Sequence, residues 1–184
     1  MWYAGNTGSD VGVQDEVVQS QRSSRTTVSA ATFPVGLAVA SDGNVYWAES
    51  GKGALGYAFS GGTGETSVGG SPNGIVSGPD GNLWYADSSQ SQIVQFSPAS
   101  KTVINRYLIP SMNADPIGIV VGNDGALWFS ETKANKVGRI TVSGAITEYP
   151  IPSAAGGVQG IAVAPDGSIW LTEALAGKIA RLVY

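Results

Sequence analysis

The chain has 184 residues, 42% of them hydrophobic and 13% charged, with a net charge of −4 at pH 7 and a pI near 4.6. This composition supplies the core of one domain, excludes a disordered tail and argues against nucleic acid as a partner. Cysteine and histidine are absent, which excludes disulfides, thiolate chemistry, and the commonest general base and metal ligand.

An Asp-Gly pair followed by an apolar and aromatic stretch occurs four times along the chain. The copies read DGNVYW from Asp42, DGNLWY from Asp80, DGALWF from Asp124 and DGSIWL from Asp166. Their spacings of 38, 44 and 42 residues define a repeat of the length that is typical of β-propeller blades. The sequence therefore predicts an all-β propeller of four-stranded antiparallel blades, with about four and a half blades present.

Each repeat predicts four strands in the same order. An apolar first strand precedes the Asp-Gly pair, which predicts a tight hairpin turn of the primed type because Gly accepts the positive φ that such a turn demands. The second strand carries the aromatic pair and ends at an acid. Residues 1–33 are predicted to be a degenerate partial blade without its first strand, because Met1-Trp2-Tyr3-Ala4 is similar to Leu83-Trp84-Tyr85-Ala86 in a second strand. The other blades are predicted at residues 34–71, 72–115, 116–157 and 158–184, the last without its fourth strand.

An unclosed array of blades leaves two apolar sheet faces uncovered. Three arrangements would cover them: a longer propeller of which this chain is a part, a ring completed by a second copy, or a small ring closed by the five sheets. A start inside a blade favours the first arrangement.

Residues 116–152 carry the most complete copy of a longer motif. It consists of Pro116-Ile117-Gly118-Ile119, Asp124-Gly125, Leu127-Trp128-Phe129-Ser130-Glu131, Asn135-Lys136-Val137-Gly138-Arg139-Ile140-Thr141 and Ile146-Thr147-Glu148-Tyr149-Pro150-Ile151-Pro152. This motif resembles the blade of the virginiamycin B lyase (streptogramin B lyase) family. The resemblance covers residues 34–184 well and residues 1–33 weakly, and propellers of the NHL and SMP-30 kind share much of the pattern.

The resemblance implies a seven-bladed propeller that opens a cyclic depsipeptide antibiotic by Mg²⁺-dependent elimination at an ester C–O bond. In that family a histidine removes the proton, within a Glu-Pro-His-Gly-Ile arrangement that is followed by another Glu fourteen residues on. The histidine position falls here on Val35, Asn73, Ile117 and Gln159, none of which is a base. The later acid is present as Glu49, Asp87, Glu131 and Glu173, and Asp115 precedes Pro116 where the family has Glu.

These recurrent acids have two interpretations. As an arc at the channel mouth they would bind a hard cation; Mg²⁺ is the cofactor that the resemblance implies, and its predicted ligands are Asp87, Glu131 and Glu173. As parts of the repeat, each acid caps a turn by accepting backbone N–H bonds, which a position recurring in every blade favours. The predicted ligand-binding residues are Asn73, Asp115 and Gln159, and no catalytic residue is predicted.

Other recurrent residues have structural interpretations. The Asp-Gly pairs lack further acids at alternating spacing, so they indicate hairpin turns rather than calcium loops. Trp84, Trp128 and Trp170 are expected to pack between neighbouring sheets. Arg139 and Arg181 are expected at solvated blade edges.

The sequence thus favours a ligand- or protein-binding scaffold, with a small-molecule or peptide ligand at the channel mouth, in a larger propeller protein that lacks the catalytic histidine. The alternative is a Mg²⁺-dependent C–O lyase with a non-standard base or with its base in further blades. A third interpretation is self-association through the unclosed faces. No membrane span is predicted, and the compartment stays open, with the periplasm and the extracellular space both compatible.

Overall fold

The computed structural model describes three strands within residues 1–31 and every residue from 32 to 184, and side chains from residue 32 onward. All elements in this part of the chain are β-strands. Blade 1 contains β1 (Tyr3–Ala4), β2 (Asp10–Gln14) and β3 (Ser23–Thr27). Blade 2 contains β4 (Pro34–Val39), β5 (Val45–Glu49), β6 (Ala54–Phe59) and β7 (Gly62–Ser67).

The remaining strands form three more sheets of the same kind. Blade 3 contains β8 (Pro72–Ser77), β9 (Leu83–Asp87), β10 (Gln92–Ser97) and β11 (Thr102–Leu108). Blade 4 contains β12 (Pro116–Val121), β13 (Leu127–Glu131), β14 (Lys136–Ile140) and β15 (Ile146–Pro150). Blade 5 contains β16 (Val158–Val163), β17 (Ile169–Glu173) and β18 (Lys178–Leu182).

Strands within each sheet pair in sequence order, and every pairing is antiparallel. The first strands of successive blades lie side by side, so that β4 neighbours β8, β8 neighbours β12 and β12 neighbours β16. This arrangement confirms the predicted all-β propeller, and the described sheets do not close into a ring. The described residues contain no helix that could cross a membrane.

The blades are held together by apolar packing of one sheet on the next. We call the side of a sheet that faces the following blade its forward face, and the opposite side its rear face. Between blades 3 and 4, Trp84 and Ile93 on the forward face pack with Leu127, Phe129 and Ile140 on the rear face. All five side chains are completely buried. Burial of this apolar surface is the main favourable contribution to the stacking.

The tryptophans confirm this packing where a following blade is present. Trp84 and Trp128 are fully buried between sheets, and each indole stacks on a tyrosine of its own blade's fourth strand. Trp170 occupies the same position in blade 5 but keeps 42% of its surface exposed. Its cross-strand neighbourhood is also open, since Ile179 on β18 is 71% exposed. No described residue covers the forward face of blade 5.

Each Asp-Gly turn is a three-residue hairpin loop, a different geometry from the primed two-residue turn that the sequence suggested. In blade 2 the Gly43 N–H donates to the Ala40 carbonyl, and only Gly43 has a positive φ, of 79°. The Asp42 side chain accepts the Asn44 N–H at 3.0 Å. The Asp side chain therefore stabilises the turn, while Gly adopts the left-handed conformation that the last residue of the loop requires.

The turn aspartates also hold two arginines that were expected at solvated edges. Arg139 donates to Asp124 at 2.7 Å, and its guanidinium lies 5.9 Å from the Trp128 ring. Arg181 makes the same 2.7 Å contact with Asp166 in blade 5. Burial would raise the pKa of Asp124, but hydrogen bonds led by the one from Arg139 outweigh it and lower that pKa.

Trp84 and Trp170 occupy equivalent positions in their blades but differ in how much of the side chain is exposed, and this difference leads to a prediction. Trp84→Ala should lower the free energy of unfolding by about 3–5 kcal/mol, because it leaves a large cavity between two blades. Trp170→Ala should cost about 1 kcal/mol or less, because the indole is only half covered. Urea titration of both variants measures the difference, and equal losses would show that the forward face of blade 5 is covered in solution.

Candidate functional site

The four fully described first strands line a common cavity of about 400 Å³. Each strand contributes three consecutive residues. The lining consists of Val35, Gly36 and Leu37 from β4, Asn73, Gly74 and Ile75 from β8, Ile117, Gly118 and Ile119 from β12, and Gln159, Gly160 and Ile161 from β16. The four positions that the resemblance aligned with the histidine therefore meet at one place.

A break in strand pairing turns these residues toward the cavity. In every first strand the register shifts directly after its first residue, as between Pro116 and Ile119 in blade 4. Such a bulge removes residues from the hydrogen-bonded ladder and redirects their side chains. In blades 4 and 5 a backbone N–H group that leaves the ladder donates to a hydroxyl of the second strand instead. Gly118 donates to Ser130 Oγ and Gly160 to Thr172 Oγ1, both at 2.8 Å.

Glycine after the bulge lets neighbouring first strands approach closely. A Cβ atom on Gly74 would lie only 2.5 Å from the carbonyl oxygen of Ile117 in the next blade. That oxygen belongs to the backbone and cannot turn away. The close approach of the strands thus brings the four bulges around a narrow space.

The cavity is lined by apolar and amide side chains, without a charged one. Val35 and Ile117 are aliphatic, whereas Asn73 and Gln159 carry amides. Asn73 donates its amide N–H bonds to Ser88 Oγ at 2.8 Å and to the Ser71 carbonyl at 3.1 Å. The lining can therefore exclude ions and offer a few hydrogen bonds to a neutral ligand.

Two of the three predicted ligand-binding residues, Asn73 and Gln159, are lining residues, and the third is not. Asp115 lies in the connection before β12, with a φ of 53°, and its carboxylate pairs with Lys133 at 3.3 Å. Lys133 is well exposed. Asp115 therefore forms an ion pair at the edge of blade 4 and is not part of the cavity wall.

The recurrent acids all occupy the last position of a second strand, and all are buried. The exposed fractions are 1% for Glu49, 0% for Asp87, 0% for Glu131 and 3% for Glu173. None is a lining residue of the cavity. Each lies beside the first residue of its own blade's first strand, as Glu131 lies opposite Pro116.

The surroundings of these acids differ from blade to blade. Asp87 caps a turn by accepting the N–H groups of Ser71 at 3.0 Å and Gln90 at 3.3 Å. Glu49 accepts the indole N–H of Trp47 at 2.7 Å. Glu131 has no hydrogen-bond donor on either carboxyl oxygen. A shared backbone position has thus been given three different polar environments.

Glu131 is the acid most strongly affected by burial. Loss of solvent raises its pKa to about 8, and the nearby Glu148 carboxylate contributes to the rise. Burial would also raise the pKa of Glu148, but hydrogen bonds from Ser111 and Lys136 outweigh it and lower that pKa. Lys136 lies 3.1 Å from Glu148. At neutral pH the proton therefore resides on Glu131 and the negative charge on Glu148.

Comparison with known proteins gives matches to solved structures. No family model matches the chain. No curated protein matches it either. A catalytically inactive histidine-to-alanine variant of virginiamycin B lyase from Staphylococcus aureus, with quinupristin, is 29% identical, with a TM-score of 0.90 over 99% of this chain and 62% of that one. A streptogramin B lyase structure is 28% identical, with a TM-score of 0.85 over 98% of this chain and 64% of that one.

The chain is a virginiamycin B lyase-like propeller. It spans about 62% of the length of the Staphylococcus aureus enzyme. Hydrazine synthase of Kuenenia stuttgartiensis also matches, with a TM-score of 0.76 at 19% identity, and that likeness shows the fold alone.

The acids of this lyase-like propeller do not fit a Mg²⁺ ion shared by Asp87, Glu131 and Glu173. The three carboxyls lie in three separate blades, and the described residues contain no group of three side chains that could ligate a metal. Mg²⁺ prefers near-octahedral oxygen coordination with carboxylate ligands, and a protonated Glu131 is a poor ligand.

Sequence reasoning missed two features of the site. The hydroxyls of Ser130 and Thr172 secure the bulges, and their signal is a hydroxyl residue directly before the recurrent acid. The second feature is the set formed by Ser111, Lys136 and Glu148 around Glu131. It has no local signal, because Ser111 lies in a connection between two blades.

The buried Glu131 predicts an unusual pH dependence of stability. The folded chain holds this proton up to about pH 8, whereas the unfolded chain releases it near pH 4.5. The free energy of unfolding should therefore fall as pH rises from 4.5 to 8 and level off above 8. The chain has no histidine, and Glu49 is the other described carboxyl whose pKa burial raises.

Glu131→Gln should reduce this decline to the part that Glu49 contributes, because the amide stays neutral, and above pH 8 it should be more stable than the parent by on the order of 2 kcal/mol. Urea unfolding at pH 5, 7 and 9 measures the effect. Glu65→Gln is the control, since Glu65 is an exposed carboxylate paired with Lys52. A parent curve that rises between pH 5 and 8 would contradict the assignment.

Proposed function

We propose that the chain binds a small-molecule or peptide-like ligand at the cavity between its first strands, with an uncharged part of the ligand against the lining, and without converting it. The observation that carries the proposal is the cavity lining, in which the four positions aligned with the family's histidine hold two amides and two aliphatic side chains. Concave, mostly apolar sites with a few convergent polar groups are typical of small-ligand binding. The lack of charge in the lining favours an uncharged part of the ligand at this place.

The proposal of binding without turnover is supported by the absence of a base. The related enzyme becomes catalytically inactive when a histidine is replaced by alanine, and this chain has no histidine. A carboxyl with a raised pKa could replace imidazole, and Glu131 has one. However, Glu131 is fully buried and is not a lining residue, and a general base must come within hydrogen-bond reach of its proton.

We also propose that these blades form part of a larger propeller protein. The described sheets do not close, and the forward face of blade 5 exposes Trp170 and Ile179. The equivalent Trp84 and Ile93 are completely buried by the following blade. The solved virginiamycin B lyase is longer than the part that this chain matches, which supports the same arrangement.

Quinupristin, which is present in the related structure, serves as a probe of binding. It should raise the melting temperature of the chain in a dose-dependent way, because a ligand that binds only the folded state stabilises it. Mass spectrometry of the same samples, with Mg²⁺ added, should show intact quinupristin. Ring opening above the protein-free rate would establish the lyase alternative, and an unchanged melting temperature would contradict binding.

Asn73→Ala combined with Gln159→Ala should reduce the melting shift at a fixed quinupristin concentration. The matched control is Asn44→Ala, which removes an amide at the opposite end of the sheets. Blade 4 carries Ala126 at the equivalent position of its turn, so the fold accepts alanine there. An equal reduction in the control would show that the amides of the cavity have no special part.

A further inference from the structure

The Asn73 side chain is held in a fixed orientation by a closed set of hydrogen bonds. Its Nδ2 donates to Ser88 Oγ at 2.8 Å and to the Ser71 carbonyl oxygen at 3.1 Å. The Ser88 hydroxyl also donates to the Ser71 carbonyl, at 3.3 Å. Since the proton of Ser88 is directed to Ser71, its oxygen is free to accept from Asn73.

This arrangement defines which end of the amide is available. A carbonyl oxygen only accepts hydrogen bonds, so rotating the Asn73 amide by half a turn would place two acceptors, its own Oδ1 and the Ser71 oxygen, against each other. Both N–H bonds are therefore used inside blade 3. The Asn73 side chain lines the cavity, and its Oδ1 is the amide atom that remains available to accept a hydrogen bond there.

We infer that Asn73 is a specificity-determining residue that selects ligands carrying an N–H or O–H donor, with Ser88 as the positioning residue that keeps its Oδ1 toward the ligand. This inference rests on the proposed function of the cavity. A ligand donor gains a hydrogen bond to a preoriented acceptor, whereas a ligand with an N-methyl group at that place leaves the acceptor unpaired. Peptide bonds supply such donors without adding charge.

The other bulge positions do not supply an equivalent group. Val35 and Ile117 have no polar atoms, and Gln159 is an exposed side chain on a first strand whose forward neighbour is missing from the described residues. Selection by hydrogen bonding at the cavity wall therefore depends on blade 3.

A pair of probes that differ only in their donors tests the inference. Cyclic dialanine carries two amide N–H groups, and its N,N′-dimethyl derivative carries none. Ligand-observed NMR titration should give a dissociation constant about three- to tenfold lower for cyclic dialanine than for the methylated compound, the range expected for one hydrogen bond. Equal affinities for the two probes, or binding of neither, would overturn the inference.

Variants then assign the preference to the two side chains. Asn73→Leu, which keeps the size but removes the acceptor, should bind both probes equally. Ser88→Ala should reduce the preference without abolishing binding, because the Ser71 carbonyl alone then orients the amide. Ser100→Ala is the matched control, since this exposed hydroxyl bonds only to Thr102 at the other end of blade 3, and it should keep the full preference.

Circular dichroism confirms that each variant is folded. A preference that persists in Asn73→Leu would overturn the role of Asn73, and an unchanged preference in Ser88→Ala would overturn the positioning role. The inference can fail while the proposed function stands: if quinupristin raises the melting temperature but the two probes are not distinguished, the cavity binds ligands without using the Asn73 acceptor.

Discussion

The structure depends on the stacking of each sheet against the next through an apolar forward face and an apolar rear face. An aromatic residue at the centre of the forward face, Tyr46, Trp84 or Trp128, is completely buried by this contact. Because the sheets stack at their inner edges as well, the four described first strands come together around one cavity. The candidate site is thus a consequence of blade packing, and no single blade contains it.

The fold could be predicted from the sequence because its signals are local and repeated. The Asp-Gly turns, the alternation in the strands and the aromatic pair recur at a nearly constant spacing, so each copy supports the others. The details of the turn could not be read in the same way. A glycine at positive φ suits both a primed turn and a three-residue loop, and the choice depends on the hydrogen bond from Gly43 to Ala40.

The placement of the candidate site residues could be predicted in part, for a physical reason. Asn73 and Gln159 are candidates because they occupy a position that the resemblance marks, and the bulge directs that position into the cavity. The role of the acids was harder to predict, because burial depends on neighbouring loops. Glu131 and Asp87 have the same place in the repeat, yet one lacks any donor and the other caps a turn.

The repeat therefore contains positions that sheet stacking keeps the same and positions that differ from blade to blade. Residues that the stacking needs, such as the aromatic residue of the forward face and the glycine of the bulge, recur in blades 2 to 5. Residues that differ between blades include the one that lines the cavity at the bulge and the hydrogen-bond partners of the buried acid. Binding properties of this fold can change through those positions while the sheets remain the same.

The one-sided packing of blade 5 has a consequence for how the chain unfolds. In a linear array of repeats, the stability of each unit is the sum of its own contribution and that of its interfaces. Blade 5 has one described interface where blades 3 and 4 have two, and β18 is its exposed outer strand. Fraying should therefore start at β18 and advance toward the interior blades, so amide protons of blade 5 exchange with solvent before those of blade 3.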